Sequence, residues 1–336
     1  MSKTLYIINP AGHGGAGIKA WERFKSIYPD EIPAEDVLFT LRPGHAREIA
    51  LSANRHETLA VVGGDGTVGE VMTAIMFREA CDIRLAIVPA GTGNDIARNA
   101  GILYMEDAVA ALRNEKPKAF DIIRVETQID SRPAVNYAFL CGAVGFSSIP
   151  RIRPWMKRFL GPKGAYYFAT LIQLLLYRTT DMTMITEEKN FSGRAWLVLV
   201  GNAETTAGGS MCLAPGARLD DGELNISLFP HGSRIRMGLK LMPKIESGEH
   251  VNDPEISYFP GKRIEIDSDP PAVVELDGDI YGVTPAVFDV CPGAIRILTP
   301  ETAKEEEVRQ SIAQRRGKQR ACTQSVCCDC LKMKRT

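Results

Sequence analysis

Along the first third of the chain, short apolar runs alternate with longer stretches in which apolar residues recur every three or four positions. Thr4-Leu5-Tyr6-Ile7-Ile8, Val37-Leu38-Phe39-Thr40, Leu59-Ala60-Val61-Val62 and Leu85-Ala86-Ile87-Val88-Pro89 read as strands. Between them, Ile18 to Tyr28 (Trp21, Phe24 and Ile27 on one face), His45 to Ala53 and Val68 to Met76 read as helices. Strands that are apolar throughout and alternate with helices predict a parallel sheet covered on both faces. From about Phe120 the rhythm changes. Asp121–Val125, Ala134–Leu140, Met182–Thr186, Ala195–Val200, Leu224–Phe229, Arg263–Ile266, Ala272–Leu276 and Ala294–Leu298 are short β-rich runs bounded by turns. Such spacing predicts a second, mostly-β domain of sandwich type. The expected organisation is an α/β domain over residues 1–125, a β-sandwich over 126–300 and an extension over 301–336.

One segment breaks the β pattern. Arg151 to Leu160 is basic and aromatic, and Ala165 to Tyr177 is almost wholly apolar and helical in composition. It reads either as an interfacial helix meeting anionic lipid through Arg151, Arg153, Lys157 and Arg158, or as a helix packed on the sheet with a solvated basic flank. The extension combines a polar helical stretch (Ala303–Ile312) with a basic end: from Arg309 onward eight basic residues stand against one acidic. Electrostatic attachment to an anionic surface and a frayed tail are the two readings of that charge.

Composition narrows the class. Of 336 residues, 45% are hydrophobic and 24% charged, ordinary globular values. Lys+Arg 40 against Asp+Glu 41 gives net −1, which argues against nucleic acid as a partner. The N-terminus lacks the apolar core of a signal peptide, and no apolar stretch reaches the roughly 18 residues needed to span a bilayer. A cytoplasmic protein is expected. Cys81, Cys141, Cys212 and Cys291 are scattered in apolar surroundings, while Cys322, Cys327, Cys328 and Cys330 crowd the end. A disulfide framework is not expected, and the terminal cysteines match neither a paired zinc arrangement nor a prenylation box.

The candidate chemistry lies in the turns that leave the strands. Gly63-Gly64-Asp65-Gly66-Thr67 joins a strand to a helix start, where small residues, free N–H groups and the helix dipole favour a phosphate. No Gly-Lys-Ser/Thr follows, so it is not a Walker loop, and the dinucleotide fingerprint is absent in its usual register. Asp65 would repel a phosphate unless a cation such as Mg²⁺ sat between them; its plainer reading is a helix cap in a tight βα turn. Two further glycine-rich turns, Asn9 to Gly17 and Ala90 to Asn94, and Thr40 fall on the same predicted rim, where α/β proteins bind ligands. Their combination points to a nucleotide.

Asn9-Pro10, Gly63-Gly64-Asp65-Gly66-Thr67, Pro89-Ala90-Gly91-Thr92-Gly93-Asn94-Asp95, the stretch from Val200-Gly201-Asn202-Ala203 through Gly208-Gly209 to Asp220-Asp221-Gly222-Glu223-Leu224, and Val274-Glu275-Leu276-Asp277-Gly278-Asp279 together closely resemble the diacylglycerol kinase-like lipid kinase family. The likeness is strongest to its soluble bacterial diacylglycerol kinases and spans roughly Lys3 to Leu298. The Gly-Gly-Asp-Gly-Thr core is shared with NAD kinases; the later elements point to the lipid branch. The resemblance implies transfer of the γ-phosphoryl group of ATP to a lipid hydroxyl, with an NAD kinase/diacylglycerol kinase-like α/β domain and a lipid-binding sandwich. It implies nucleotide contacts from Asn9, Pro10, Ala11, Gly12, His13, Thr40, Gly64, Asp65, Gly66, Thr67, Val68, Gly69, Glu70 and Thr92. Asp65 and Asp95 correspond to an acidic network around Mg²⁺ and the phosphates, and Asp277 to the general base. Asp221, with the main-chain carbonyls of Arg218 and Glu223, corresponds to a second, structural Mg²⁺ site. Gly69 departs from the family, many of whose members carry Asn there, and weaker ATP binding is one consequence. Diacylglycerol is the simplest acceptor; phosphatidylglycerol or a sphingoid base also presents one hydroxyl beside long chains. A lipid substrate, peripheral membrane contact and a homodimer are the expected partners. The competing readings are a non-catalytic lipid- or nucleotide-binding protein and an NAD kinase-like enzyme.

Overall fold

A computed structural model describes residues 3–12, 15–78, 82–147 and 154–300. His13, Cys81, Arg151, Arg153 and the extension from residue 301, all singled out in the sequence, lie outside the described residues. The first half runs β1 (Thr4–Ile8), α1 (Ala16–Ile27), β2 (Val37–Phe39), α2 (His45–Ser52), β3 (Thr58–Gly63), α3 (Asp65–Met76), β4 (Arg84–Pro89), α4 (Asp95–Asn99) and α5 (Met105–Asn114). The second half adds β5 (Pro117–Ile129), β6 (Arg132–Ala138), β7 (Cys141–Gly145), α6 (Pro154–Leu176), β8 (Thr180–Thr186), β9 (Phe191–Gly201) and β10 (Leu224–Pro230). A helical segment follows, made of α7 (Arg234–Arg236), a π turn (Met237–Leu241) and α8 (Met242–Ser247). The chain ends through β11 (Ser257–Gly261), β12 (Arg263–Asp269), β13 (Val273–Leu276) and β14 (Asp279–Leu298).

β2, β1, β3 and β4 are parallel neighbours, as the apolar runs predict. All six residues of β3 are buried because helices cover both faces. On α1, Trp21 and Phe24 stack and pack against Tyr6, whereas Ile27, expected on the same face, is exposed at the helix end. Each chain crossing from strand to helix passes over the same end of this sheet, which collects the glycine turns there.

The second half is sandwich-like, with pairing that closes upon itself through β9, β7, β13, β14, β12 and β8. Its interior is filled by Val198, Val200, Ile226, Ile264, Val274 and Phe288, among others. Residues of alternate parity, Leu197 and Leu199 on β9 among them, point outward. They meet Phe146, Phe229, Met237 and Leu174 under the helical cover formed by α6 and the α7–α8 segment. Period-two alternation thus serves two cores at once.

β14 joins the halves. Most of its length is antiparallel to β13, β12 and β5, but Arg296 and Ile297 pair in parallel with Arg84 and Leu85 of β4. The run Ala294–Leu298, expected in the second domain, therefore completes the first sheet, because Ile295, Ile297 and Leu298 bury in the α/β core. β5 runs beside β14 through both regions, so residue 125 falls inside a continuous strand.

Gly142 shows how tightly the sandwich closes beneath the site. A Cβ there would overlap the Phe288 ring and crowd Leu276, the residue before Asp277. Overpacking of this kind costs about 1–3 kcal/mol. Gly142→Ala is expected to lower stability by that amount in a urea titration, with an unchanged m-value.

Candidate active site

Three turns meet at the carboxyl ends of β1, β3 and β4. The turn after β3 and the turn after β4 touch backbone to backbone: a Cβ on Gly91 would lie 2.6 Å from the Cα of Gly64. Only glycine permits that approach. The second turn is closed by Asn94, which takes a left-handed conformation while its Oδ1 accepts the Gly91 N–H (2.7 Å) and its Nδ2 donates to the Gly91 carbonyl (2.9 Å). Thr92 sits exposed at its tip. The turn after β1 is tied in by Asn9, whose Nδ2 donates to Thr67 Oγ1 (2.8 Å) and whose Oδ1 accepts the Gly12 N–H (3.1 Å). Pro10 and Ala11 lie between those anchors. Thr40 is buried at the end of β2 and donates its N–H to the Ile8 carbonyl (2.8 Å).

In the first turn of α3, Thr67 and Val68 donate to the Gly64 carbonyl. Gly66 and Gly69 face open space, with nothing within 4 Å of where a Cβ would stand. The start of α3 therefore presents unblocked backbone beside the two glycine turns, the arrangement that favours an anion. Two expected contacts are differently placed. The Val68 side chain is in the core, and the Glu70 carboxylate accepts the N–H groups of Gly44 (2.8 Å) and Ala46 (3.2 Å), so it caps α2.

Three carboxylates converge here from different turns, each held by backbone amides. Asp65 accepts the Ile96 N–H (2.9 Å). Asp95 accepts those of Gly208 (2.8 Å) and Gly209 (3.2 Å), from the loop after β9. Asp277 accepts three in succession, from Phe139 (2.8 Å), Leu140 (2.8 Å) and Cys141 (2.9 Å). Asp277 and Gly278, both at positive φ, form the two-residue hairpin between β13 and β14. Here that Asp-Gly turn also points a carboxylate back at the β6–β7 connection.

Burial pushes the Asp277 carboxyl up to about 6, the three amides opposing it and the negative charge of Asp65 adding to the rise. Burial also raises Asp65, with the charge of Asp95 adding and the Ile96 amide opposing. The Cys141 thiol rises through burial and then through Asp277, Glu275 and Asp95. These mutual effects place the acidic groups within electrostatic reach of one another.

A separate loop carries Arg218, Asp221 and Glu223. The Arg218 guanidinium turns to Asp220 (3.2 Å), which Lys118 also faces (3.4 Å). Asp221 is exposed and accepts the Glu223 N–H at 3.1 Å. One carboxylate with main-chain carbonyls is a hard oxygen set, suited to Mg²⁺ or Ca²⁺. Among the described residues, no group of three or more His, Cys, Asp and Glu side chains is placed to hold a metal.

Sequence reading gave no role to the residues that support these groups, although Asn202 and Glu275 fall within the stretches it singled out. Asp121, read as the start of a strand, is buried and accepts the N–H groups of Gly222 and Gly293, both at 2.7 Å. Asn202 is fully buried and donates to the carbonyls of Asp121 (2.9 Å) and Phe139 (2.8 Å). A chain of hydrogen bonds therefore runs from the Asp221 loop through Asp121 and Asn202 to the amides that hold Asp277. The signal was an acid at the head of the apolar run Asp121-Ile122-Ile123, since an unpaired buried carboxylate is costly. Glu275, two positions before Asp277, accepts a hydrogen bond from Ser147 (2.6 Å), and burial raises its carboxyl.

Residues 3–125 match the diacylglycerol kinase catalytic domain, and residues 151–299 match the YegS C-terminal NAD kinase beta sandwich-like domain. A diacylglycerol kinase of Mycobacterium tuberculosis is 28% identical over 311 residues, covering 89% of this chain and 96% of that protein. The crystal structure of a diacylglycerol kinase from Bacillus anthracis superposes with a TM-score of 0.65 at 22% identity, covering 90% of this chain and 98% of that one. At that identity the superposition speaks for the fold alone. The two matched domains, in this order and over most of the length, show that the chain belongs to the diacylglycerol kinase-like lipid kinases.

Proposed function

We propose that this protein transfers the γ-phosphoryl group of ATP to the hydroxyl of a lipid, with diacylglycerol as acceptor and phosphatidic acid as product. The observation that carries the reading is Asp277. A carboxylate offers about four lone-pair positions, and three are taken by amides in fixed geometry. The fourth remains for a substrate hydroxyl, which is a poor nucleophile until its proton has an acceptor at hydrogen-bond distance.

On this reading, the amides at the start of α3, together with Asn9, Gly12, Gly64, Gly66, Thr67 and Thr92, hold and align the phosphates. Asp65 and Asp95 would hold the accompanying Mg²⁺, which supplies charge neutralisation at the transferring group. Arg218, Asp221 and Glu223 would hold a second cation that fixes their loop. The side chains of Val68 and Glu70 take no direct part, given where they lie. Phosphoryl transfer then rests on alignment and electrostatics, with proton acceptance left to Asp277.

A lipid acceptor is supported by the surface of the second half. α6, kinked at Gly161, exposes Trp155, Phe159 (77% exposed), Leu160 and Phe168 around Arg158. Its C-terminal end packs on the sheet through Leu174 and then Tyr177, while Met156, Ala165 and Ala169 bury in a small cluster of their own. Such a patch suits peripheral contact with an anionic membrane surface. No described helix is long and apolar enough to cross a membrane.

The test is transfer of labelled γ-phosphate from ATP with Mg²⁺ into a mixed lipid extract, with products separated. Wild type is expected to label one lipid class, and Asp277→Ala to lose at least a hundredfold in rate; its melting temperature should fall because three amides lose their acceptor, so both proteins are assayed well below the variant's melting temperature. Labelled lipid formed equally by both proteins contradicts the role of Asp277; a water-soluble product contradicts the lipid acceptor. A second expectation concerns pH. Protonation removes the acceptor lone pair, so kcat/KM should fall tenfold per unit below pH about 6, the value to which Asp277 is raised. Above that pH the profile should be flat until another group titrates, and the limb should be absent from the residual activity of Asp277→Asn.

A further inference from the structure

A cavity of about 310 Å³ lies at the amino ends of β1, β2 and β3, the end of the first sheet opposite the glycine turns. Its volume stands at the small end of the range for small-molecule sites, roughly 300–1,000 Å³. Leu5, Leu38 and Ala53 give it apolar walls. Leu5 and Ala53 are buried, whereas Leu38, on the strand that ends the sheet, is 42% exposed. Two opposite charges complete the rim: Glu35, just before β2, and Arg55, in the turn between α2 and β3. Both side chains are exposed, and neither makes a hydrogen bond or ion pair among the described residues.

The remaining wall is a buried imidazole. His56 and Asp36 are each 7% exposed, and His56 Nε2 lies 3.0 Å from Asp36 Oδ1. A carboxylate only accepts, so Nε2 carries the proton of that bond. The neutral ring then offers a lone pair at Nδ1, and Nδ1 has no hydrogen-bond partner. A buried polar atom left unpaired is costly, and a ligand N–H entering from the cavity would relieve that cost. Nδ1 and the Glu35 carboxylate together ask for an ammonium, Arg55 asks for an oxyanion, and the leucine walls ask for an apolar body.

The same two elements that flank this cavity span the sheet to the nucleotide rim. Thr40 follows β2 there, and Glu70 holds the Gly44 and Ala46 amides at the start of α2. The cavity is thus separated from the carboxylates by the full length of β2 and α2.

We propose that this cavity binds a free α-amino acid with an apolar side chain. The ammonium lies between His56 Nδ1 and Glu35, the carboxylate on Arg55, and the side chain against Leu5, Leu38 and Ala53. The assignment does not depend on the lipid kinase reading, and its test uses neither ATP nor lipid. The probe is L-leucine, titrated into the full-length protein and followed by calorimetry and by the imidazole ¹⁵N signals, with His56→Gln identifying those of His56. Leucine should bind saturably and shift His56 Nδ1, with a Kd on the order of 1 mM or tighter. 4-Methylpentanoate lacks the ammonium and isopentylamine lacks the carboxylate, so each should bind about tenfold more weakly. O-Phosphoethanolamine keeps both charges without the apolar body and should also bind more weakly than leucine.

Glu35→Gln and Arg55→Gln alter exposed side chains without partners, so both should keep the wild-type melting temperature. Each should weaken leucine roughly five- to tenfold. Glu35→Gln should leave 4-methylpentanoate unweakened, and Arg55→Gln should leave isopentylamine unweakened, because each variant removes a partner of one charge only. Absence of saturable binding at about 50 mM leucine overturns the site. Wild-type leucine affinity in either variant, or 4-methylpentanoate binding as tightly as leucine, overturns it too. Phosphoethanolamine binding as tightly as leucine overturns the amino acid as its ligand. If His56→Gln does not fold, calorimetry on the two exposed variants decides alone.

Discussion

Carboxylates held by backbone amides of loops distant in sequence, at the seam between the two halves and just behind it, are the constraint on which the rest of this structure depends. Asp95, on the first sheet's rim, is held by Gly208 and Gly209 of the second half. Asp121 bridges the Asp221 loop and β14 through Gly222 and Gly293. Asp277 is clamped by the β6–β7 connection. Amide bonds to a charged acceptor are stronger than neutral ones, and each fixes a loop that would otherwise be free to move. Two or three amides ordinarily hold a carboxylate well below the usual carboxylate range. Asp277 is instead raised to about 6, so burial outweighs the amides here. The site accepts that electrostatic cost and keeps negative charge where a cation would offset it.

The glycine turns answer the same constraint from the other side. Gly64 and Gly91 allow two rims to approach at backbone distance, which brings Asp65 within reach of the Ile96 amide on the neighbouring turn. Asn94 and Asn9 then close the turns with side chains acting as surrogate peptide groups. The anion-binding surface at the start of α3 and the acidic cluster beside it are thus products of one packing arrangement. The sandwich contributes rigidity: the ring of strands through β9, β7, β13, β14, β12 and β8 leaves the Asp277 hairpin little freedom.

Much of this was legible in the chain. The parallel strands, the glycine turns at their ends, the β-rich second half and the Asp277-Gly278 turn all follow from local pattern and turn chemistry. What escaped reading depends on partners distant in sequence. Ala294–Leu298 reads as another sandwich strand, and only the burial of Ile295 and Ile297 against the first core assigns it to β4. α5 and the α7–α8 segment were not anticipated, since short amphipathic stretches between stronger signals carry little periodicity. Asp121 and Asn202 look ordinary in isolation; their meaning lies in backbone partners 63 to 172 positions away, amides for Asp121 and carbonyls for Asn202. Glu70, expected among the nucleotide contacts, has its carboxylate on the Gly44 and Ala46 amides at the start of α2, because a carboxylate one turn into a helix can reach another helix's N-terminus.

The central claim is that Asp277 is a half-buried, amide-held carboxylate poised to accept a proton near neutral pH. Its ionisation can be followed directly by NMR of ¹³C-labelled aspartate carboxyls in the full-length protein, with Asp277→Asn identifying the signal. The account predicts one carboxyl that titrates near pH 6 and disappears in the variant. A signal for Asp277 that titrates below pH 4 would contradict it, because the amides would then have prevailed over burial and left a carboxylate too weakly basic for the role.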